Sequence, residues 1–246
     1  MSFSDDEVER YARHLVLAEI GGPGQQRLAR ARVLIVGMGG VGGPAALYLA
    51  AAGVGMLGLI DPDDVALSNL QRQIQFSVED IDRSKVGAAS ERLSALNPHI
   101  RVETHARALT AENAADLIAG HDLVLDGTDD FAVRFAVNTA CVAAGIPLVS
   151  GALGRWTGQV CVFAGKPCYQ CLVPEAPPDA ETCARVGVIG ALAGVVGAMA
   201  ALEAIKLITG AGQPLTGRLM LYDGLAATAR TVKVVADPAC PVCGDA

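Results

Sequence analysis

Residues 32–61 read RVLIVGMGGVGGPAALYLAAAGVGMLGLID, and this stretch decides the fold. VLIV at 33–36 is a short β-branched run of the kind that forms a strand buried on both faces. Glycines at 37, 39, 40 and 42 follow at once, then an Ala- and Leu-rich helical run, then MLGLI as a second strand ending on Asp61. Strand, glycine turn, helix and strand within about thirty residues make a nucleotide-binding unit. Gly37 permits the tight turn, Gly39 lets a phosphate approach the backbone, and Gly42 lets the helix pack close. Gly40 belongs to the same phosphate-facing set. The helix N-terminus adds free N–H groups and partial positive charge. Asp61 lies 24 residues after Gly37, near the ~20 expected of a carboxylate that accepts hydrogen bonds from ribose. A merely tight structural turn is the alternative, and the motif does not separate NAD, FAD and ATP.

Working outward, strands and helices keep alternating. Ser84–Leu96 reads as a helix stopped by Asn97-Pro98, IRVETH as a strand, Ala111–Ile118 as a helix and DLVLDGTDD as a buried strand entering a polar turn. Ala132–Ala144 reads as a helix ended by Gly145, and PLVSGAL as a further strand. That alternation predicts an α/β fold with a Rossmann-like, doubly wound, mostly parallel sheet. After Gly151 the strands GQVCVFA, LMLYDG and TVKVVA come without helices between the last two, which predicts an antiparallel extension in the C-terminal half. PEAPPDAET at 174–182 reads as a loop. No linker divides residues 1–246, which predicts one domain: a nucleotide-binding half to about 150 and a second half over about 151–246. Before the first strand, residues 5–30 read as helical, with Val8, Tyr11, Leu15 and Leu17 on an apolar side. Gly21-Gly22-Pro23-Gly24 reads as a break in that helix.

The 246 residues are 52% hydrophobic and 18% charged, with a formal charge of −7. That composition excludes intrinsic disorder, and the acidic balance argues against a non-specific nucleic-acid binder. The longest uncharged run, Val186–Leu202, falls just short of the ~20 residues of a membrane span and reads as a buried helix. The acidic, polar start is unlike a secretory signal. The expectation is a cytoplasmic protein without membrane contact.

Three further groups carry chemistry. SNLQRQ at 68–73 and Lys85 lie just beyond the Asp61 strand end, where this fold binds ligands, so Arg72 and Lys85 are candidate phosphate groups. Solvated surface cations are the alternative. Asp126, Asp129 and Asp130 in LDGTDD follow an apolar strand and suit Mg²⁺, although Asp is equally favoured as a helix N-cap. Of seven cysteines, Cys168, Cys171, Cys240 and Cys243 form two CxxC pairs, the pattern of a four-thiolate Zn²⁺ site of structural role. Cys141 and Cys161 read as inert core thiols. Cys183, near Arg185 and a helix start, reads as a reactive thiol.

Together these residues resemble the MoeB/ThiF family, bacterial relatives of ubiquitin-activating enzymes. The resemblance rests on RYARHLVL at 10–17, VLIVGMGGVG at 33–42, SNLQRQ, Lys85, the GTDD turn, ETC at 181–183 and both CxxC pairs. The molybdopterin-synthase adenylyltransferase branch is the most similar. The resemblance implies ATP-dependent adenylation of a ubiquitin-like sulfur-carrier protein ending in Gly-Gly, for molybdopterin, thiamine or tRNA-thiolation sulfur transfer. It implies that Asp61 holds the ribose, that Asn69, Arg72 and Lys85 hold the phosphates, and that Asp129 binds Mg²⁺. It implies that Arg13 reaches the ATP of a neighbouring subunit in a homodimer, and that Cys183 takes over the activated acyl group or sulfur in some members. It makes the Val186–Leu202 run a core element and the C-terminal half the carrier-binding one. Asp130 departs from the family's usual Asn, and Gly127 from a frequent Cys. No rhodanese segment follows Cys243, so the sulfur donor, a cysteine desulfurase or rhodanese, is expected to be a separate protein. Two rival readings are an NAD-dependent oxidoreductase, which has no use for Arg72, Lys85 and a Mg²⁺ carboxylate together, and a non-catalytic zinc-stapled scaffold.

Overall fold

In the computed structural model, residues 3–177 and 187–244 are described. The apolar runs become eight strands in one sheet: β1 (Arg32–Val36), β2 (Met56–Ile60), β3 (Arg101–His105), β4 (Leu123–Asp126), β5 (Leu148–Gly154), β6 (Thr157–Phe163), β7 (Arg218–Asp223) and β8 (Thr228–Lys233). Their order is β3-β2-β1-β4-β5-β6-β7-β8. Pairing is parallel from β3 to β5 and antiparallel from β5 to β8. The doubly wound sheet with an antiparallel extension is therefore as the strand pattern predicts.

The helices among the described residues are α1 (Asp5–Arg10), α2 (Ala12–Leu15), α3 (Gly21–Arg30), α4 (Gly42–Ala51), α5 (Lys85–Leu96), α6 (Ala114–Ile118), α7 (Phe131–Ala144), α8 (Tyr169–Leu172) and α9 (Gly190–Thr209). They cover both sheet faces, which explains why VLIV is apolar at every position. Val33 and Ile35 join the core under α4 and α9, with Leu57, Leu125, Leu192 and Val196. Leu34 and Val36 face the opposite core, with Val124, Val137 and Cys141. Each such fully buried side chain contributes roughly 1.5–3 kcal/mol.

The apolar helix α9 is long enough to cross a membrane by length and composition. Here it lies against α3, α4, β5 and β6. Gly197 permits that packing: a Cβ there would sit 2.6 Å from the Val41 carbonyl oxygen. Within α9, the Glu203 carboxylate is buried, accepts the Leu215 N–H at 2.7 Å and pairs with Lys206 at 2.5 Å.

Two expectations near the N-terminus need correction. Gly21–Gly24 does not break a helix but starts α3. Pro23 occupies the first turn, where an N–H has no intrahelical acceptor, and the ladder begins with Gly24 N–H donating to Ile20 C=O at 2.7 Å. The apolar side of residues 8–17 is not uniformly buried either. Tyr11 is buried, but Val8 and Leu17 are about half exposed and Val16 is 78% exposed.

Candidate active site

The sheet reverses its winding at β1, whose neighbours are β2 on one side and β4 on the other. Loops leaving β1 and β4 diverge there and open a crevice beyond the strand carboxyl ends, the place where open α/β sheets bind ligands. The crevice is a cavity of about 570 Å³, lined by Gly37, Gly39, Gly40, Asp61, Asn69, Arg72, Lys85, Asp129 and Arg134 among others. Gly37 has φ +86°, a left-handed conformation that favours glycine. A Cβ on Gly42 would lie 1.9 Å from the Gly37 carbonyl oxygen, so α4 closes onto the turn only because residue 42 is glycine. Gly42 itself supports the turn and is not among the lining residues.

Asp61 is buried at the end of β2. One carboxylate oxygen accepts Met38 N–H at 2.7 Å and the other accepts Asp63 N–H at 2.9 Å, which ties the strand end to the glycine turn. Burial pushes its carboxyl above the usual range, while the Lys85 ammonium and those two N–H groups pull it back. Lys85 opens α5 and is buried, although a cation at a helix N-terminus opposes the macrodipole. Two carboxylates hold it there: Asp63 at 2.7 Å and Asp61 at 3.8 Å. Asp63 was not singled out from sequence; its signal was the DPDD run after the strand. Arg72 donates from Nη1 to the Ser68 carbonyl oxygen at 3.0 Å, which pins its guanidinium at the cavity edge. Asn69 accepts Ala66 N–H at 3.2 Å in the same turn.

The β4–α7 turn separates its carboxylates by task. Asp126 is buried and accepts both Thr128 N–H and Oγ1–H at 2.9 Å. Asp130 caps α7, accepting Ala132 N–H at 2.7 Å and Val133 N–H at 3.4 Å. Asp129 is exposed on the cavity and takes no part in that cap. Arg134 also went unread in the sequence, although it stands one turn after Asp130. Its buried guanidinium lies 3.7 Å from Asp126, donates to Ser150 Oγ at 3.2 Å and Gly151 C=O at 2.9 Å, and donates to Thr128 C=O. Burial pulls it down, but Asp126 and Tyr169 more than offset that and leave it raised. It fastens the carboxylate turn to β5.

Cys168, Cys171, Cys240 and Cys243 meet with all Sγ atoms within 4.8 Å of one another. Cys168 lies 3.6 Å from Cys240, and Cys171 lies 3.4 Å from Cys243. A tetrahedral site with bonds of ~2.3 Å has S···S edges of about 3.8 Å, so this donor set fits a thiophilic ion. Burial pushes the Cys141 and Cys161 thiols up to about 12, as expected of unreactive core thiols. Cys183 lies outside the described residues. Arg13 is exposed on α2 and is not among the cavity residues of its own chain.

The sequence profile of the ThiF family matches residues 11–242. The chain belongs to the ThiF family. It is 46% identical to the sulfur carrier protein adenylyltransferase of Thermus thermophilus, covering 100% of this chain and 94% of that protein. It is likewise 46% identical to the molybdopterin-synthase adenylyltransferase of Escherichia coli, covering 98% of each. Among solved structures, Escherichia coli MccB with MccA-N7isoASN superposes at a TM-score of 0.86, over 99% of this chain and 76% of that one, at 22% identity. That likeness shows that the two chains share a fold.

Proposed function

We propose that this chain adenylates the C-terminal Gly-Gly carboxylate of a ubiquitin-like sulfur-carrier protein, using ATP and releasing pyrophosphate. The observation that carries the proposal is the switch-point cavity, where Arg72 and Lys85 converge with Asp61 on the glycine turn. The names of the Thermus thermophilus and Escherichia coli relatives support the same chemistry.

A carboxylate oxygen of the carrier bonds to the α-phosphorus, and the bond from that phosphorus to the bridging oxygen breaks. Pyrophosphate leaves with the electron pair. A carboxylate is already ionised near pH 7, so the site needs no general base. Its work is positioning and neutralisation of charge. Asp61 accepts from the ribose hydroxyls, Gly37, Gly39 and Gly40 let the phosphates reach the backbone, and Asn69, Arg72 and Lys85 hold them. Mg²⁺ at Asp129 supplies further positive charge to the phosphates when bound. Zn²⁺ at the four cysteines fills a structural role, fixing the residue 168–171 turn to the segment around 240–243. Arg13 serves the cavity of a second copy in a homodimer, a reading supported by its exposure beside the apolar Val16 and Leu17. In transfer to Cys183, its thiolate bonds to the carrier's carbonyl carbon, the acyl–phosphate bond breaks and AMP leaves, and a cysteine desulfurase or rhodanese supplies sulfur.

ATP–pyrophosphate exchange tests the proposal. Exchange is expected only when a carrier with a free Gly-Gly terminus is present. Absence of exchange with every such carrier, in metal-replete protein, would overturn it.

A further inference from the structure

Asn138 is a buried polar residue in the middle of a mostly apolar helix, and nothing in the adenylation chemistry uses it. The two ends of its amide have different partners. Oδ1 accepts Tyr169 N–H at 2.8 Å. A backbone N–H can only donate, so this bond fixes the amide orientation, and Nδ2–H must face the other way. There it donates to Cys168 Sγ at 3.6 Å. One side chain thus holds a thiol of the four-cysteine cluster and the residue that follows it.

Tyr169 in turn belongs to the cavity wall. Its ring stands 5.8 Å from the Arg134 guanidinium carbon and packs on Phe135 and Phe163 at 5.9 Å. Arg134 ties the carboxylate turn to β5, donating to Thr128 C=O on the turn and Gly151 C=O on the strand. Asp130, Arg134 and Asn138 recur every four residues, so they share one face of α7. The helix is a short rod with the cluster at one end of that row and the carboxylate turn at the other.

We propose that Asn138 is a positioning residue that couples metal occupancy of the four cysteines to the nucleotide cavity, acting through Cys168 and Tyr169. The coupling rests on the reading of the cluster as a metal site. An N–H donated to a metal-bound thiolate stabilises the ligand's charge and fixes its orientation, and losing such an outer partner typically weakens metal binding 10–100-fold. The same loss frees the Tyr169 backbone from α7 and loosens the cavity wall.

The test uses the full chain loaded with cobalt(II), whose thiolate bands report on the sulfur ligands. Asn138→Leu keeps the branched shape and heavy-atom count and removes both hydrogen bonds. The expected results are about 10–100-fold weaker metal affinity in chelator competition, shifted cobalt–thiolate bands, and ATP affinity lowered about fivefold. Stripping metal from the wild-type chain should lower ATP affinity similarly. If Asn138→Leu does not fold by circular dichroism, Asn138→Ala is read in its place. Wild-type protein that takes up no cobalt overturns the metal reading and this proposal together. Cobalt uptake by wild type with unchanged affinity and bands in the variant overturns the role of Asn138 alone. Equal ATP affinity with and without metal overturns the coupling to the cavity.

Discussion

Lys85→Met should destabilise the ligand-free protein in a strongly pH-dependent way. The wild-type ammonium is buried, 3.8 Å from Asp61 and 2.7 Å from Asp63. Asp63 is well exposed and keeps its solvation when the lysine is lost. Asp61 is not. At 3.8 Å and an effective dielectric of about 20, the Lys85–Asp61 attraction is about 4 kcal/mol, as an upper bound. The Asp61 carboxyl already sits above its unfolded value because of burial. A raised carboxyl contributes stability that is full below the unfolded pKa and is lost as pH rises through the folded one. Removing Lys85 raises the folded value further. The penalty should therefore vanish below about pH 4, grow through the mildly acidic range, and approach about 3–4 kcal/mol by pH 8. Urea unfolding at several pH values measures it. Adding Asp61→Asn to Lys85→Met should flatten the profile. A penalty equal at every pH, or a pH dependence that survives in the double variant, would refute the reasoning.

Other expectations follow from the same geometry. Gly42→Ala would put a Cβ 1.9 Å from the Gly37 oxygen, so α4 must move away; ATP binding by calorimetry should fall below detection. Asp130→Ala should cost about 1 kcal/mol in thermal unfolding through loss of the α7 cap while leaving pyrophosphate exchange largely intact. Asp129→Ala should abolish exchange with little change in stability, and the opposite pattern would reverse the assignment. If Arg13 serves a second copy, mixing inactive Arg13→Ala and Arg72→Ala chains should restore about a quarter of the wild-type exchange rate, because half of a twofold dimer population carries one intact site. No recovery would place Arg13 elsewhere.

The parts of this protein written in local sequence were legible. VLIV followed by glycines fixes a strand, a turn and a helix start through backbone sterics alone, and Asp61 lands where its strand delivers it. The two CxxC pairs announce a four-thiol cluster, because each pair brings two sulfurs onto one turn, and the four Sγ atoms do meet. What local pattern could not supply was pairing across the fold. Asp63 and Arg134 look like ordinary charged residues until tertiary packing buries their partners, Lys85 and Asp126. The helix start at Gly21 was missed for a different reason. Glycine and proline break a helix interior but are tolerated in its first turn, and only the hydrogen-bond ladder from Gly24 reveals which applies. Val8 and Leu17 match an apolar stripe in the sequence, yet their own chain leaves each about half exposed.

The position of α9 has a consequence for synthesis. The five parallel strands are complete by Gly154, but the helix that closes one of their faces runs from Gly190 to Thr209. At ~5–20 residues per second, a ribosome takes roughly 3–11 s to extend the chain from the end of β5 to the end of α9. Through that interval Val149 and Val41 lack the Val196 and Ala200 cover they have in the finished fold. The cysteine clamp comes later still, because each pairing joins residues 72 positions apart. The nascent half therefore exposes a sticky apolar face before its lid exists, which makes this interval the point of greatest exposure to aggregation and of greatest demand on chaperones.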